Sequence, residues 1–328
     1  MKEFEYERAV GATEAVALAR RAGARFLGGG TNLVDLMKLG VETPDLLVDL
    51  TGLDLAEVLE QPDGALRIGA TVRNSDLSAN DAVRARYPVL SQALVAGASG
   101  QLRNMATVGG NLLQRTRCPY FQDVTKACNK RVPGSGCPAR AGEHRNLAIL
   151  GASEACIATS PSDFAVALAA LDAGVTALTT EGEVSLNVSD FFRLPGDEPQ
   201  RDTNLPPGAL VTAVTVPRLD WATRSAYRKV RDRASYAFAL VSVAAAVDLD
   251  GDQVRDVRLA LGGVAHAPWR ATRAEEALRG GPVTEEAFSA ALRRELEAAE
   301  PLPHNGFKVD LAHNVAVRTL TELTEVPT

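Results

Sequence analysis

The sequence predicts an α+β chain in three parts. A small β-α-β unit opens it, a mixed second block follows, and long strands backed by helices close it. Three observations carry this. Short apolar runs alternate with helical periodicity over the first fifty residues. The run Pro195 to Pro207, then Pro217, breaks the chain before its last hundred or so residues. Beyond that break come long β-branched and alanine-rich runs, then helical patterns.

Residues 13–21 read as a helix with Thr13 as N-cap and Gly23 as its stop. Residues 25–27 read as a strand. Three glycines follow, and Thr31 opens a helix carrying Leu33, Val34, Leu36 and Met37. Residues 46–50 form the next strand. In the second block, Pro62-Asp63-Gly64 turns the chain between strands at 58–60 and 65–68. Helices are expected at 75–79 and 88–98. Residues 114–146 show little periodicity and much turn chemistry, and a loop this long is functional or tied down by something. Regular structure resumes with a helix over 162–171, capped by Ser162 or Asp163, and strands at 175–178, 184–186 and 210–216. The third part has strands at 226–230, 239–249 and 254–261, the last two joined at Asp250-Gly251. Helices at 274–278, 285–299 and 309–323 end it. The expected units are therefore 1–54, 55–217 and 218–328.

The chain has 328 residues, 46% hydrophobic and 23% charged, as a folded globular protein has. Its net charge of -6 argues against a nucleic-acid surface as its main business. No apolar run is long enough to span a membrane. The acidic start Met1-Lys2-Glu3-Phe4-Glu5 lacks a secretory core, so the expectation is cytoplasmic, or periplasmic if a signal-bearing partner carries the chain across.

Two glycine turns stand out: Gly28-Gly29-Gly30-Thr31-Asn32 and Thr107-Val108-Gly109-Gly110-Asn111. Consecutive N–H groups in such turns form nests for phosphate, and the helix that Thr31 opens points its own N–H groups at the same place. A Rossmann dinucleotide turn fits in part, since Asp49 follows about twenty residues on. Leu33, however, stands where the third glycine should be. A Walker A loop lacks its Gly-Lys-Ser/Thr. Two purely structural turns are the bland alternative. Two turns of the same make, each with a Thr and an Asn, favour FAD, whose pyrophosphate needs such donors.

At these residues the chain resembles a family. The strings Arg25-Phe26-Leu27-Gly28-Gly29-Gly30-Thr31-Asn32-Leu33, Arg103-Asn104-Met105-Ala106-Thr107-Val108-Gly109-Gly110-Asn111-Leu112 and Pro161-Ser162-Asp163 are similar to the FAD-binding subunit of the xanthine dehydrogenase family of molybdenum hydroxylases. The resemblance implies a two-subdomain FAD-binding fold of the PCMH/vanillyl-alcohol-oxidase type. A C-terminal α/β domain, with a three-stranded sheet and helices, would follow. It also implies that Arg25, Phe26, Leu27, Gly28, Gly29, Gly30, Thr31, Asn32 and Leu33 wrap the pyrophosphate and ribityl chain. Ala98, Thr107, Gly109, Gly110, Asn111 and Leu113 would line the second side. Asp163, Val211 and Lys229 would approach from later elements. Gly28 stands where the family usually has alanine or valine. Taken singly, Asp163 also fits an N-cap and Lys229 a solvated strand cation.

All four cysteines lie between Cys118 and Cys156, spaced Cys118-x9-Cys128-x8-Cys137-x18-Cys156. Four thiolates are what a [4Fe-4S] cluster needs, and a long loop can wrap one. Arg115, Arg117, Lys126, Lys130 and Arg131 lie close in sequence and would offset its negative charge. Zinc competes, but its four-cysteine sites usually come as paired C-x2–4-C knuckles, and none is present. Disulfides compete if the protein is exported. The strings around Cys118, Cys128 and Cys137 resemble the iron–sulfur-containing flavin subunit of bacterial periplasmic aldehyde oxidoreductases. The 4-hydroxybenzoyl-CoA reductase flavin subunit has a similar insertion with different cysteine spacing.

The four histidines form no metal-spaced pair, and no nucleophile elbow is present. The resemblance implies an electron-transfer subunit with no catalytic residue of its own. A molybdenum-cofactor large subunit and a [2Fe-2S] small subunit would be its partners in a heterotrimer. An external acceptor would take the electrons, with Tyr236 and Phe238 bordering the flavin face. A free-standing flavin oxidase and a zinc-stabilised scaffold are the readings from other classes. A xanthine dehydrogenase-like complex is the alternative within the family.

Overall fold

In the computed structural model, which describes residues 1–325, the chain builds three sheets. The strands are β1 (Glu5–Arg8), β2 (Ala24–Leu27), β3 (Leu46–Asp49), β4 (Val58–Glu60), β5 (Leu66–Gly69) and β6 (Gly174–Thr179). They continue as β7 (Gly182–Asn187), β8 (Leu210–Val216), β9 (Ser225–Val230), β10 (Val241–Asp250), β11 (Gln253–Gly262) and β12 (Trp269–Arg270).

The first sheet is parallel, in the order β1-β3-β2. Parallel neighbours need crossovers, and helices Ala12–Leu18 and Leu33–Lys38 supply them. Ala15, Val16, Leu46 and Val48 form its core. Sequence reading missed β1 because Glu5, Tyr6 and Arg8 are exposed and show no apolar alternation. Backbone pairing to β3 makes it a strand. The first helix differs from expectation at both ends: Gly11, not Thr13, is its N-cap, and it stops at Leu18. Gly23, at φ 72°, then makes the turn into β2.

The second sheet is antiparallel, in the order β4-β5-β8-β6-β7. Helices Pro88–Ala96 and Asp163–Ala170 cover it. All eight residues of Asp163–Ala170 are buried, because this helix lies between the second sheet's core and the third sheet. Helix Pro88–Ala96 ends before Gly97, so the expected helix over 88–98 is two residues too long, and Ala98 sits at φ 51° outside it.

The third sheet is antiparallel, in the order β12-β11-β10-β9. It carries a fourth strand, the two-residue β12, beyond the three expected. Such a short pairing leaves no periodic trace in sequence. Helices Thr272–Leu278, Glu285–Leu296 and Phe307–Thr324 pack on one face. Among the described residues, no helix is long and apolar enough to cross a membrane.

Candidate functional site

The two glycine turns meet back to back. Gly30 has φ 71°, a left-handed conformation that favours glycine. At Gly29 there is no room for a side chain: a Cβ would lie 1.8 Å from the Met105 carbonyl oxygen. At Gly28 a Cβ would lie 2.8 Å from Thr107 Oγ1. The first turn therefore packs against the segment 105–107, its Gly29 against backbone and its Gly28 against the Thr107 side chain. Among the described residues, no protein acceptor takes the backbone N–H groups of Gly28, Gly29, Gly30, Thr31 or Asn32. Five consecutive free donors make the nest expected for a phosphate.

The second turn is anchored differently. Val108 and Gly109 donate their N–H groups to the Val72 and Ala70 carbonyls at 3.0 and 2.8 Å. Thr107 caps the short helix Val108–Leu112, and its Oγ1 accepts from the Gly110 N–H at 3.2 Å. Gly109 allows the close approach to Ala70, whose Cβ would be 3.2 Å from a Cβ there. Asn111 turns away from the first turn: its Oδ1 accepts from Ser162 Oγ at 2.7 Å and Gln114 Nε2 at 2.9 Å.

Between the turns lies a cavity of about 270 Å³. Arg25, Phe26, Gly28, Gly29, Gly30, Thr31, Asn32 and Leu33 form one wall. Thr107, Gly109, Gly110, Leu113 and Val211 form the other. Glu42, Thr71, Arg115 and Leu210 also line it, and sequence reading had not placed them there. Asn32 Nδ2 and Thr71 Oγ1 are buried there without a partner. Orphaned donors on a cavity wall fit a ligand rich in oxygen acceptors. A second cavity, of about 390 Å³, shares Gly28, Thr71 and Thr107 and continues toward Arg73 and Asp76. Leu27, Ala98, Asn111, Asp163 and Lys229 stand off the wall of the glycine cavity.

Asp163 and Lys229 form a site of their own. Successive inward positions of β9 place Tyr227 and Lys229 on one face. Tyr227 donates its hydroxyl to Asp163 Oδ1 at 2.6 Å, and Lys229 Nζ donates to Oδ2 at 2.8 Å. Both ionic side chains are buried. Burial and the Asp163 carboxylate push the Tyr227 hydroxyl well above its ordinary pKa. Lys229 and Arg231 also donate to the Ala96 carbonyl at 3.2 and 3.1 Å. They hold the turn that ends in the left-handed Ala98. Strain of this kind collects at ligand clamps. Asp163 and Phe238 line a third cavity, of about 230 Å³, with Arg117 and Cys118. Tyr236 is exposed at φ 53°. Tyr6, Thr51 and Arg8 all donate to the Asp49 carboxylate, so Asp49 braces the first sheet as the Rossmann alternative would not require.

The cysteine loop is ordered by side chains acting on backbone. Arg131 donates to the carbonyls of Tyr120, Phe121 and Lys126. Asn129 Nδ2 donates to Ala155 O at 2.9 Å, and its Oδ1 accepts from Gly136 N at 2.7 Å. All four cysteines are free, and they line one small pocket with Phe121, Lys130 and Ile157. Burial pushes the Cys118 thiol up to about 11 and raises Cys137 and Cys156. The Ala158 N–H donates to Cys156 Sγ at 3.4 Å. Among the described residues, no three His, Cys, Asp or Glu side chains gather closely enough to hold a single metal ion.

Comparison with known proteins adds the following. Residues 2–219 match the model of the FAD binding domain in molybdopterin dehydrogenase, and residues 225–323 match the CO dehydrogenase flavoprotein C-terminal domain. The aldehyde oxidoreductase FAD-binding subunit PaoB of Escherichia coli K12 is 52% identical over 324 residues, covering 98% of each chain. The glyceraldehyde dehydrogenase medium chain of Sulfolobus acidocaldarius is 30% identical, covering 99% of this chain and 98% of its own. Among solved structures, carbon monoxide dehydrogenase of Hydrogenophaga pseudoflava superposes with a TM-score of 0.75 at 25% identity, covering 97% of this chain and 96% of its own.

Proposed function

The chain belongs to the FAD-binding subunits of the molybdenum hydroxylase family, and from that premise we propose that it is the electron-transfer subunit of an aldehyde-oxidising complex. The observation that carries this is the meeting of two glycine turns over five unpaired N–H groups. When bound, FAD supplies reversible two-electron chemistry. In this reading residues 25–33 hold the pyrophosphate and ribityl chain, with Asn32 Nδ2 and Thr71 Oγ1 completing the donor set. Thr107, Gly109, Gly110, Leu113 and Val211 form the opposing wall. The Asp163–Lys229 pair and the strained Ala98 orient the far end of the cofactor, with Leu27 and Asn111 supporting the turns from behind. The proposed units are 1–54, 55–217 and 218–328, a division that the grouping of the described strands into three sheets supports.

The partners in this reading are a molybdenum-containing large subunit and a [2Fe-2S] small subunit. No group placed here is a candidate base for the organic substrate, so the isolated chain should be nearly inactive on aldehydes.

We further propose that Cys118, Cys128, Cys137 and Cys156 hold a [4Fe-4S] cluster, which supplies one-electron chemistry when bound. Four free thiols on one pocket, with the Ala158 N–H aimed at the Cys156 sulfur, support it. Buried thiolates are costly unless a metal takes their charge. A single tetrahedral zinc would draw its four sulfurs to about 3.8 Å of one another. Among the described residues the thiols are not gathered as a single ion requires, which weighs against zinc.

The test is anaerobic co-expression with the partner subunits, followed by absorption spectroscopy and iron and sulfide analysis. Flavin bands with a broad iron–sulfur shoulder, and about four irons per flavin in excess of those in the [2Fe-2S] partner, are expected. Cys128→Ser should lower iron and yield, since cluster binding contributes folding energy. Iron and sulfide no greater than the [2Fe-2S] partner accounts for would remove the cluster, and a complex with zinc in this chain and no flavin bands would overturn both parts. Robust aldehyde oxidation by the isolated chain would overturn the electron-transfer assignment.

A further inference from the structure

Lys130, two residues beyond Cys128, is a charged side chain in an unusual position. It is 3% exposed and lines the same pocket as the four thiols. Its Nζ donates to Asp202 Oδ1 at 2.5 Å, to the Pro199 carbonyl at 2.6 Å and to His266 Nε2 at 2.6 Å. The three ammonium protons thus have three acceptors, and the group cannot swing away.

His266 is held in the form this requires. Its Nδ1 lies 2.9 Å from the Arg193 carbonyl, which can only accept, so Nδ1 carries the proton and Nε2 offers its lone pair to Lys130. Burial, then the Lys130 charge, lower the His266 pKa to about 4, so the ring is neutral at physiological pH. Asp202 is shared: its Oδ2 also meets Arg115 Nε at 2.6 Å. Arg115 in turn pairs with Glu42 at 2.7 Å, on the wall of the glycine cavity. The network joins the cysteine loop, the polar connection 193–202, the third domain and the FAD-binding wall.

Holding a loop needs no buried charge, since an apolar contact or a neutral amide would do it at less desolvation cost. A fixed cation beside the sulfurs has a further effect. A cluster with four thiolates is anionic, and reduction adds one more negative charge without forming or breaking a bond. A nearby positive charge favours the reduced form, and a nearby negative charge opposes it. We infer that Lys130 is a positioning residue that sets the reduction potential of the cysteine site. Its buried ammonium, locked by Asp202, His266 and Pro199, raises that potential, and Asp202 tempers the effect. The inference rests on the cluster reading given above.

The experiment uses the assembled complex. Iron and sulfide are measured first in the wild-type complex. The cluster is then titrated with a chemical reductant at controlled potential and followed by electron paramagnetic resonance. Lys130→Gln should lower the reduced-to-oxidised ratio of the cluster about tenfold at the wild-type midpoint, equivalent to about 59 mV for one electron. Asp202→Asn, which keeps the shape and removes the negative charge, should shift the midpoint the opposite way. His266→Gln changes no charge and should leave it near wild type. Opposite signs from Lys130→Gln and Asp202→Asn are what a purely structural role would not produce. Should Lys130→Gln fail to retain iron, the sign of the Asp202→Asn shift decides. Unchanged midpoints, or shifts of the same sign, in complexes that retain iron would overturn the inference alone. Iron in the wild-type complex no greater than the [2Fe-2S] partner accounts for would overturn the cluster reading, and the inference with it.

Discussion

Replacing Gly29 by alanine should open the FAD site without touching any atom that would contact the cofactor's rings. The added methyl would lie 1.8 Å from the Met105 carbonyl oxygen and 2.5 Å from its carbon. Ordinary van der Waals contact begins at 3.4 Å, so one turn must retreat by 3.4 − 1.8 = 1.6 Å. The obstacle is backbone rather than a flexible side-chain end, so the retreat has to come from a turn. The second turn is tied to Val72 and Ala70 by two backbone hydrogen bonds, so the first turn yields. A shift of that size takes two or so N–H donors out of hydrogen-bonding range of a pyrophosphate. Hydrogen bonds to charged groups contribute about 1.5–3 kcal/mol each. The expected loss is about 3 kcal/mol or more, on the order of a hundredfold in the FAD dissociation constant. Fluorescence titration of apoprotein with FAD measures it, with melting temperature as a check on folding. Gly100→Ala is the control, because a Cβ there meets nothing within 4 Å and sits in a helix. Wild-type affinity in Gly29→Ala would refute the claim that contact between the turns shapes the site.

Two further outcomes follow from buried charges. Lys229→Met leaves the Asp163 carboxylate, with its side chain 8% exposed, without its cation. Breaking such a pair typically costs about 3–5 kcal/mol, which urea denaturation would read as a lower midpoint. An unchanged midpoint would show that the pair is not stabilising. At Asp49, burial alone would raise the pKa, but hydrogen bonds from Tyr6, Thr51 and Arg8 outweigh it and hold the carboxyl at about 2, against 3.8 ordinarily. A depressed folded-state pKa contributes stability fully above the unfolded value, and that stability disappears as pH falls from about 4 to about 2. That depression corresponds to at most about 2 kcal/mol at neutral pH, reduced by solvent screening. Asp49→Asn should therefore destabilise the protein at pH 7 by up to that much and flatten the acid limb of its stability profile. An equally steep limb in the variant would assign the acid sensitivity elsewhere.

The glycine turns, the family and the clustered cysteines were legible in sequence, because each rests on local chemistry. A nest needs consecutive residues without side chains, and a cysteine-lined loop needs its cysteines near one another in the chain. Long strands and amphipathic helices were legible for the same reason: periodicity is a property of neighbours. β1 was not, because its charged residues carry no apolar alternation and only pairing with β3 makes it a strand. The tertiary fold alone decided that Gly29 sits against Met105, across some seventy-five residues of chain. It alone turned Asp163 toward Tyr227 and Lys229. It also brought Glu42, Thr71 and Arg115 to the wall of the glycine cavity, and Asp202 and His266 to Lys130. The physical reason is the same throughout. Sequence specifies what each segment can do with its own backbone, whereas the partners of a buried charge or a bare glycine come from distant segments and are fixed only when the sheets close on one another.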